Sequence, residues 1–232
     1  MIKIANLLIP YVPLYNHYDP VLDEFTYGDV GSRARKLKRV LTKGDYLFLH
    51  TTLKGSKYIT AYYVVDKVLD TSAASLNKAI VTKYKNVHLK EYLDGERRDE
   101  EDAIVFGDPI LSYKLKRPLI FNKKLAEKLS LNIEFRQGFS ENQCIGSATR
   151  SWRELSEKDI DLLISEIRQN EEEGFDQTTI LSTDEVMEIL EADLENFLEK
   201  NSKLIGDDLK LIGRQVQLPV GRVDLLFETD SG

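Results

Sequence analysis

With 232 residues the chain has room for one large domain or two ordinary ones, each able to bury a core. Hydrophobic residues make up 42% and charged residues 31% of it, a globular balance, and no apolar run nears the roughly 18 residues that a membrane span needs. The net charge of -7 conceals an asymmetry, because residues 1–160 hold 26 Lys and Arg against 21 Asp and Glu, whereas residues 161–232 hold 6 against 18. A basic front suits a phosphate-bearing partner, since Lys and Arg displace condensed counterions; the acidic remainder repels the same backbone, or is a solvated linker and helix. The start, MIKIANLLIPYVP, lacks a basic leader and a small-residue cleavage site, so a cytoplasmic protein is expected. Cys144, the only cysteine, has no partner for a disulfide and no Cys or His at metal-ligand spacing, and is read as a buried structural thiol.

In chain order, IKIANLLIPYVPLY is β-like and broken by Pro10 and Pro13, which predicts an edge strand running into a polar loop. RARKLKRVL follows as a short basic helix. Gly44-Asp45 reads as a turn, Tyr46 to His50 as a buried strand, Lys54-Gly55-Ser56 as a hairpin turn and Tyr58 to Leu69 as a long strand. From Lys83 to Ile120 strand and loop are expected, with an exposed charged excursion, DGERRDEED. LSYKLKRPLIF alternates like a strand, Asn122 opens a helix through KKLAEKLSL, and a Gly-Ser loop leads to a second helix with a capping box from Ser156 to Asp159. A linker is expected over 171–183, then a helix to about Lys200 with one apolar face, and strands over Leu209 to Val216 and Gly221 to Glu228.

The last segment, LEADLENFLEKNSKLIGDDLKLIGRQVQLPVGRVDLLFETDSG, resembles the opening of the NucS-type mismatch endonuclease domain, a branch of the PD-(D/E)XK superfamily. The LExFL helix at Leu194, the LIGRQV strand at Leu211 and the GRVDLL strand at Gly221 carry the resemblance. It implies that Asp224 is the first metal-binding carboxylate and that Glu195 or Glu191 is the acidic residue of the preceding helix. Mg²⁺ is then the implied cofactor of the full-length protein, a hard ion that takes oxygen ligands and activates water for phosphodiester cleavage. Arg214, Gln215 and Arg222 match polar positions near bound DNA, or are exposed strand residues. The family's ExK strand would follow Gly232, so the chain as given is expected to lack a complete site and to be inactive as a nuclease, being a fragment or a natural truncation.

The front segment GSRARKLKRVLTKGDYLFLHTTLKGSKYITAYYVVDKVLD resembles PUA-like domains, the superfamily of the ASCH, EVE and YTH modules. That implies a partly open β-barrel with flanking helices, binding RNA or a modified nucleobase by stacking and hydrogen bonds to its edge. Candidate pocket residues are Tyr27, Ser32, Arg33, His50, Thr51 and Trp152; Arg35, in the basic helix, and Arg150 are candidates for the phosphate backbone. Trp152, the only tryptophan, either stacks on a base or packs the barrel against the next helix, and His50 is either a base contact or a polar strand end.

The expected fold is thus α+β, with residues 1–170 a PUA-like barrel, 171–183 a linker and 184–232 an incomplete α/β PD-(D/E)XK nuclease core. The first functional expectation is the DNA-binding sensor of a modification-dependent or structure-specific endonuclease, as in restriction. A non-catalytic PUA-type RNA- or DNA-binding module is the second, and an acidic helix that binds another protein the third. The expected partner is nucleic acid, DNA before RNA, with homodimerisation through the C-terminal arm left open and no membrane.

Overall fold

The computed structural model describes residues 5–12, 18–96, 102–173, 209–218 and 221–229. The chain divides into two compact units, Met1–Gln177 and Thr178–Gly232. Unit 1 is a mixed α+β structure built on seven strands: β1 (Asn6–Pro10), β2 (Thr26–Val30), β3 (Tyr46–Leu53), β4 (Ser56–Asp70), β5 (Asp102–Gly107), β6 (Tyr113–Ile120) and β7 (Arg153–Leu155). Their hydrogen-bonded order is β2-β5-β4-β3-β1-β7, with β6 also on β4.

The 15-residue β4 is the axis of the sheet. Residues 58–62 pair with β3 on one edge and β6 on the other, and residues 65–70 pair with β5. Register shifts at Leu49/His50, Ile59/Ala61 and Val65/Lys67 mark bulges along it. Bulges bend a strand and increase its twist, which is how a sheet curls toward a barrel. The β3–β4 hairpin turns on Lys54 and Gly55, both at positive φ (43° and 80°), the conformation of a type I′ turn and the reason a glycine stands there.

β1 is not an edge strand. It lies between β3, parallel, and β7, antiparallel, with Asn6 to Ile9 buried. β7 reaches only Asn6 to Leu8, and Tyr11 N–H points to His50 O on the β3 side at 2.9 Å, so the Pro10 nitrogen faces an edge that β7 has already left. A proline there forfeits no ladder bond.

Helices cover the strands. The basic run forms α1 (Gly31–Val40), which buries Ala34 and Leu37. Between β4 and β5 stand α2 (Thr71–Ser75), α3 (Lys78–Lys83) and α4 (Val87–Asp94), the last of them within the stretch from Lys83 where strand and loop are expected. Each is one or two turns long, too short to show a helical period; Asn77 and Asn86 cap α3 and α4, and Ala74, Ile80 and Leu89 pack on Ile104 and Phe106. The charged excursion also differs from expectation at its last residue, since Asp102 is 4% exposed and opens β5.

After β6 come α5 (Lys123–Lys128), capped by Asn122 as expected, and α6 (Glu141–Ala148), which replaces the expected Gly-Ser loop. A capping box between Ser140 and Gln143 starts α6, and burial of Cys144 and Ile145 holds it despite Gly146. The long α7 (Glu157–Glu173) completes a core with Leu8, Phe48, Ile59 and Phe121 of the sheet side and Leu125, Ile145, Leu163 and Ile167 of the helices. In unit 2, β8 (Leu209–Leu218) and β9 (Gly221–Thr229) pair antiparallel from Leu209↔Thr229 to Leu218↔Gly221. The helix expected over 184–200 lies outside the described residues.

The start of α7 is fixed by the reciprocal bonds expected of it. The Asp159 carboxylate accepts from Ser156 N–H (2.8 Å) and Ser156 Oγ (2.7 Å), and also from Ser130 N–H (2.8 Å), which ties α7 to the end of α5. Replacing Asp159→Ala is expected to cost about 1–2 kcal/mol, the value of a helix cap with an added tertiary bond, measured as a lower urea midpoint at unchanged slope.

Candidate nucleic-acid interface

β2 and β7 end the path of hydrogen-bonded strands, yet a pair of aromatic side chains links these two ends. Tyr27 on β2 and Trp152, the residue before β7, meet edge to face with ring centroids 6.5 Å apart and planes at 70°. The Lys36 ammonium of α1 stands 5.3 Å from the centroid of the Trp152 ring, within cation–π range. Among the described residues β2 and β7 form no strand pair, and the contact between them, the seam, is one of side chains.

Each member is positioned from behind. The Tyr27 hydroxyl donates to Asp29 Oδ2 at 2.7 Å, and Arg33, mostly exposed on the first turn of α1, lies 3.8 Å from the same oxygen. Burial first, and then the Asp29 carboxylate, push the Tyr27 phenol well above its ordinary pKa, so it stays a neutral donor. Trp152 is half-buried, which leaves part of the indole open to solvent.

Directly behind Tyr27 lies a buried ionisable cluster. Asp19 accepts Gly28 N–H at 3.0 Å and Asn86 Nδ2 at 2.9 Å, while His88 Nε2 sits 3.8 Å from Asp19 and His88 Nδ1 3.0 Å from Asp102. Gly28 has to be glycine, because a Cβ there would come 2.2 Å from His88 Cδ2. Burial, partly offset by His88, raises the Asp19 carboxyl from 3.8 to about 7. The three acidic and imidazole side chains are too enclosed to meet a substrate, so the cluster serves to fix β2, β5 and α4 against one another.

Of the residues singled out in the sequence, Tyr27, Arg33 and Trp152 are brought together, and Ser32 is exposed on the same turn of α1 as Arg33. Arg35 and Arg150 are exposed. His50 and Thr51 are corrections. They are 1% and 2% exposed, inside the sheet, with His50 edge-on to Phe121 at 5.6 Å. Neither His50 ring nitrogen nor Thr51 Oγ1 has a hydrogen-bond partner among the described residues. Burial and then Lys57 lower the His50 pKa to about 3, so it is a neutral core residue and cannot present an edge to a base.

Sequence reasoning missed Lys36, Asp29 and the Asp19–Asn86–His88 cluster. Lys36 was legible only as one cation in the run, three residues after Arg33. Asp224, Arg214, Gln215 and Arg222 fall on β8 and β9, but their side chains lie outside the described residues, as do Glu191 and Glu195 altogether. Among the described residues, no group of three or more His, Cys, Asp or Glu could hold a metal ion, so the implied Mg²⁺ finds no described site.

No family model matches the sequence, and no curated protein matches it. The solved structures it is similar to include the ASCH protein from Zymomonas mobilis and two single-residue variants of it. The variants give 9% identity over 71% of this chain and 98% of theirs at a TM-score of 0.40, and 10% over 69% and 96% at 0.38. The unsubstituted protein gives 10% over 69% and 94% at 0.36. Likeness of this degree fixes neither family nor activity.

The Asp19 cluster makes a pH prediction. Folding raises this carboxyl from 3.8 to about 7, so its protonated form is the one the fold favours; the contribution is complete below about pH 4 and is lost as the pH climbs through about 7. In urea titrations across that window the wild-type midpoint should fall relative to that of Asp19→Asn, which keeps an acceptor for Gly28 N–H. Parallel curves for the two proteins would place the ionisation elsewhere.

Proposed function

We propose that unit 1 is a nucleic-acid-binding module of PUA type and that the β2–β7 seam is where it holds a base. The observation that carries this reading is Trp152 set against Tyr27 with the Lys36 ammonium beside its ring. A partly exposed indole offers a π-face to an unpaired or flipped base, worth about 1–3 kcal/mol per stacked base. Lys36 and Arg33, on one side of α1, supply cations for the flanking phosphates, and the positive surplus of residues 1–160 agrees in sign. The enclosing Asp19 cluster supports the seam by making Tyr27 rigid, which lowers the ordering cost of binding.

DNA carrying a modified base is the finer form of the proposal, because a base that leaves the duplex easily lowers the unstacking cost. The endonuclease reading of residues 184–232 rests on sequence resemblance alone, since an antiparallel hairpin such as β8–β9 is common to many folds.

The test is a titration of labelled oligonucleotides, single-stranded DNA and RNA and duplexes with and without a modified base, at one fixed salt. Trp152→Ala should weaken binding about tenfold or more, and Lys36→Gln should lower the slope of log K against log salt by about 1. Unchanged affinity in both variants would overturn the assignment of the seam. Equal affinity for modified and unmodified duplexes would remove the modified-base form and leave the module.

A further inference from the structure

A groove of about 620 Å³ runs between the 132–139 segment and α6, on the other side of the Trp152 segment. Arg136, Arg153, Phe139, Gln143, Ser147 and Ser151 line it, with Glu134 also present 3.5 Å from the Arg136 Nε. Its size is that of a small-molecule site, and its walls mix apolar and polar groups. Phe139 is 57% exposed, an unusual position for a phenyl ring, and it stands among two guanidinium groups, a carboxamide and two hydroxyls. A ring for stacking, cations for phosphate and short hydrogen-bonding side chains are the chemistry that a single nucleic-acid strand requires.

The groove and the seam share the segment 151–153. Ser151 and Arg153 line the groove while Trp152, between them, turns to Tyr27 and Lys36. The segment thus turns Trp152 to the seam and its two neighbours to the groove.

We propose that this groove binds the nucleotides next to the base held at Trp152, with Phe139 stacking on one of them and Arg136 and Arg153 pairing with their phosphates. The proposal deepens the seam reading and rests on it for the register of the strand. The two arginines suit any anion, but the exposed Phe139 favours a nucleic-acid strand over an acidic peptide, because a nucleobase supplies a ring to stack on it at every step. Glu134 keeps Arg136 oriented in the free protein and is the group it leaves when phosphate arrives.

The experiment compares a mononucleotide with a hexanucleotide of the same base on the full chain. Phe139→Ala and Arg136→Gln are both surface changes, and each should weaken the hexanucleotide about tenfold while leaving the mononucleotide unchanged. Ser147→Trp, which fills the groove from the exposed face of α6, should do the same. If Trp152→Ala weakens both ligands but the three groove variants weaken neither, the groove is overturned and the seam stands. If the groove variants weaken the hexanucleotide and Trp152→Ala does not, the groove stands and the seam falls. Absence of binding to any oligonucleotide overturns both.

Discussion

The contact between Tyr27 and Trp152 is the constraint on which the unit turns. A sheet that curls but does not close leaves two strand edges with unpaired backbone groups, a liability that proteins manage by covering or blunting the edge. Here β7 is only three residues long and β2 only five, and what links these ends is a pair of aromatic rings with a lysine ammonium over one of them. Side-chain closure is weaker and more open than a strand pair would be. It also leaves an indole partly in solvent beside positive charge, and a surface of that kind has use for an aromatic, anionic ligand.

What makes the seam firm is the layer behind it. Gly28 follows Tyr27 in β2, and its N–H is taken up by Asp19, whose carboxyl also holds Asn86 and faces His88. Asp102, at the start of β5, holds the other side of the same imidazole. Three parts of the chain distant in sequence therefore converge on one residue of β2. The cost is a carboxyl kept close to neutral by burial, so rigidity at the seam and sensitivity to pH come from the same groups.

Much of this was legible in the sequence, and the exceptions have physical causes. The β3–β4 hairpin was plain because Lys54-Gly55 can only be a turn and the flanking residues are aromatic and β-branched. The capping of α5 and α7 was equally plain, since Asn122 and the Ser156–Asp159 pair are local signals. The helices α2 to α4 and α6 were not, because they are short, and tertiary packing of a few side chains, not periodicity, keeps them helical. His50 and Thr51 read as pocket candidates at a strand end; the sheet carries them into its interior, and nothing local could have foretold β1 and β4 on either side. Tyr27 and Trp152 were each suggested by residue type, but their meeting across 125 positions is a product of the strand order.

Because Trp152 is the only tryptophan in the chain, its fluorescence reports on the seam alone. Titration of the protein with single-stranded oligonucleotide, excited at the indole band, should give saturable quenching that weakens steeply as salt is raised. Emission unaltered in wavelength and intensity while an independent probe shows the oligonucleotide bound would contradict the account, for the strand would then be held away from the contact between Tyr27 and Trp152.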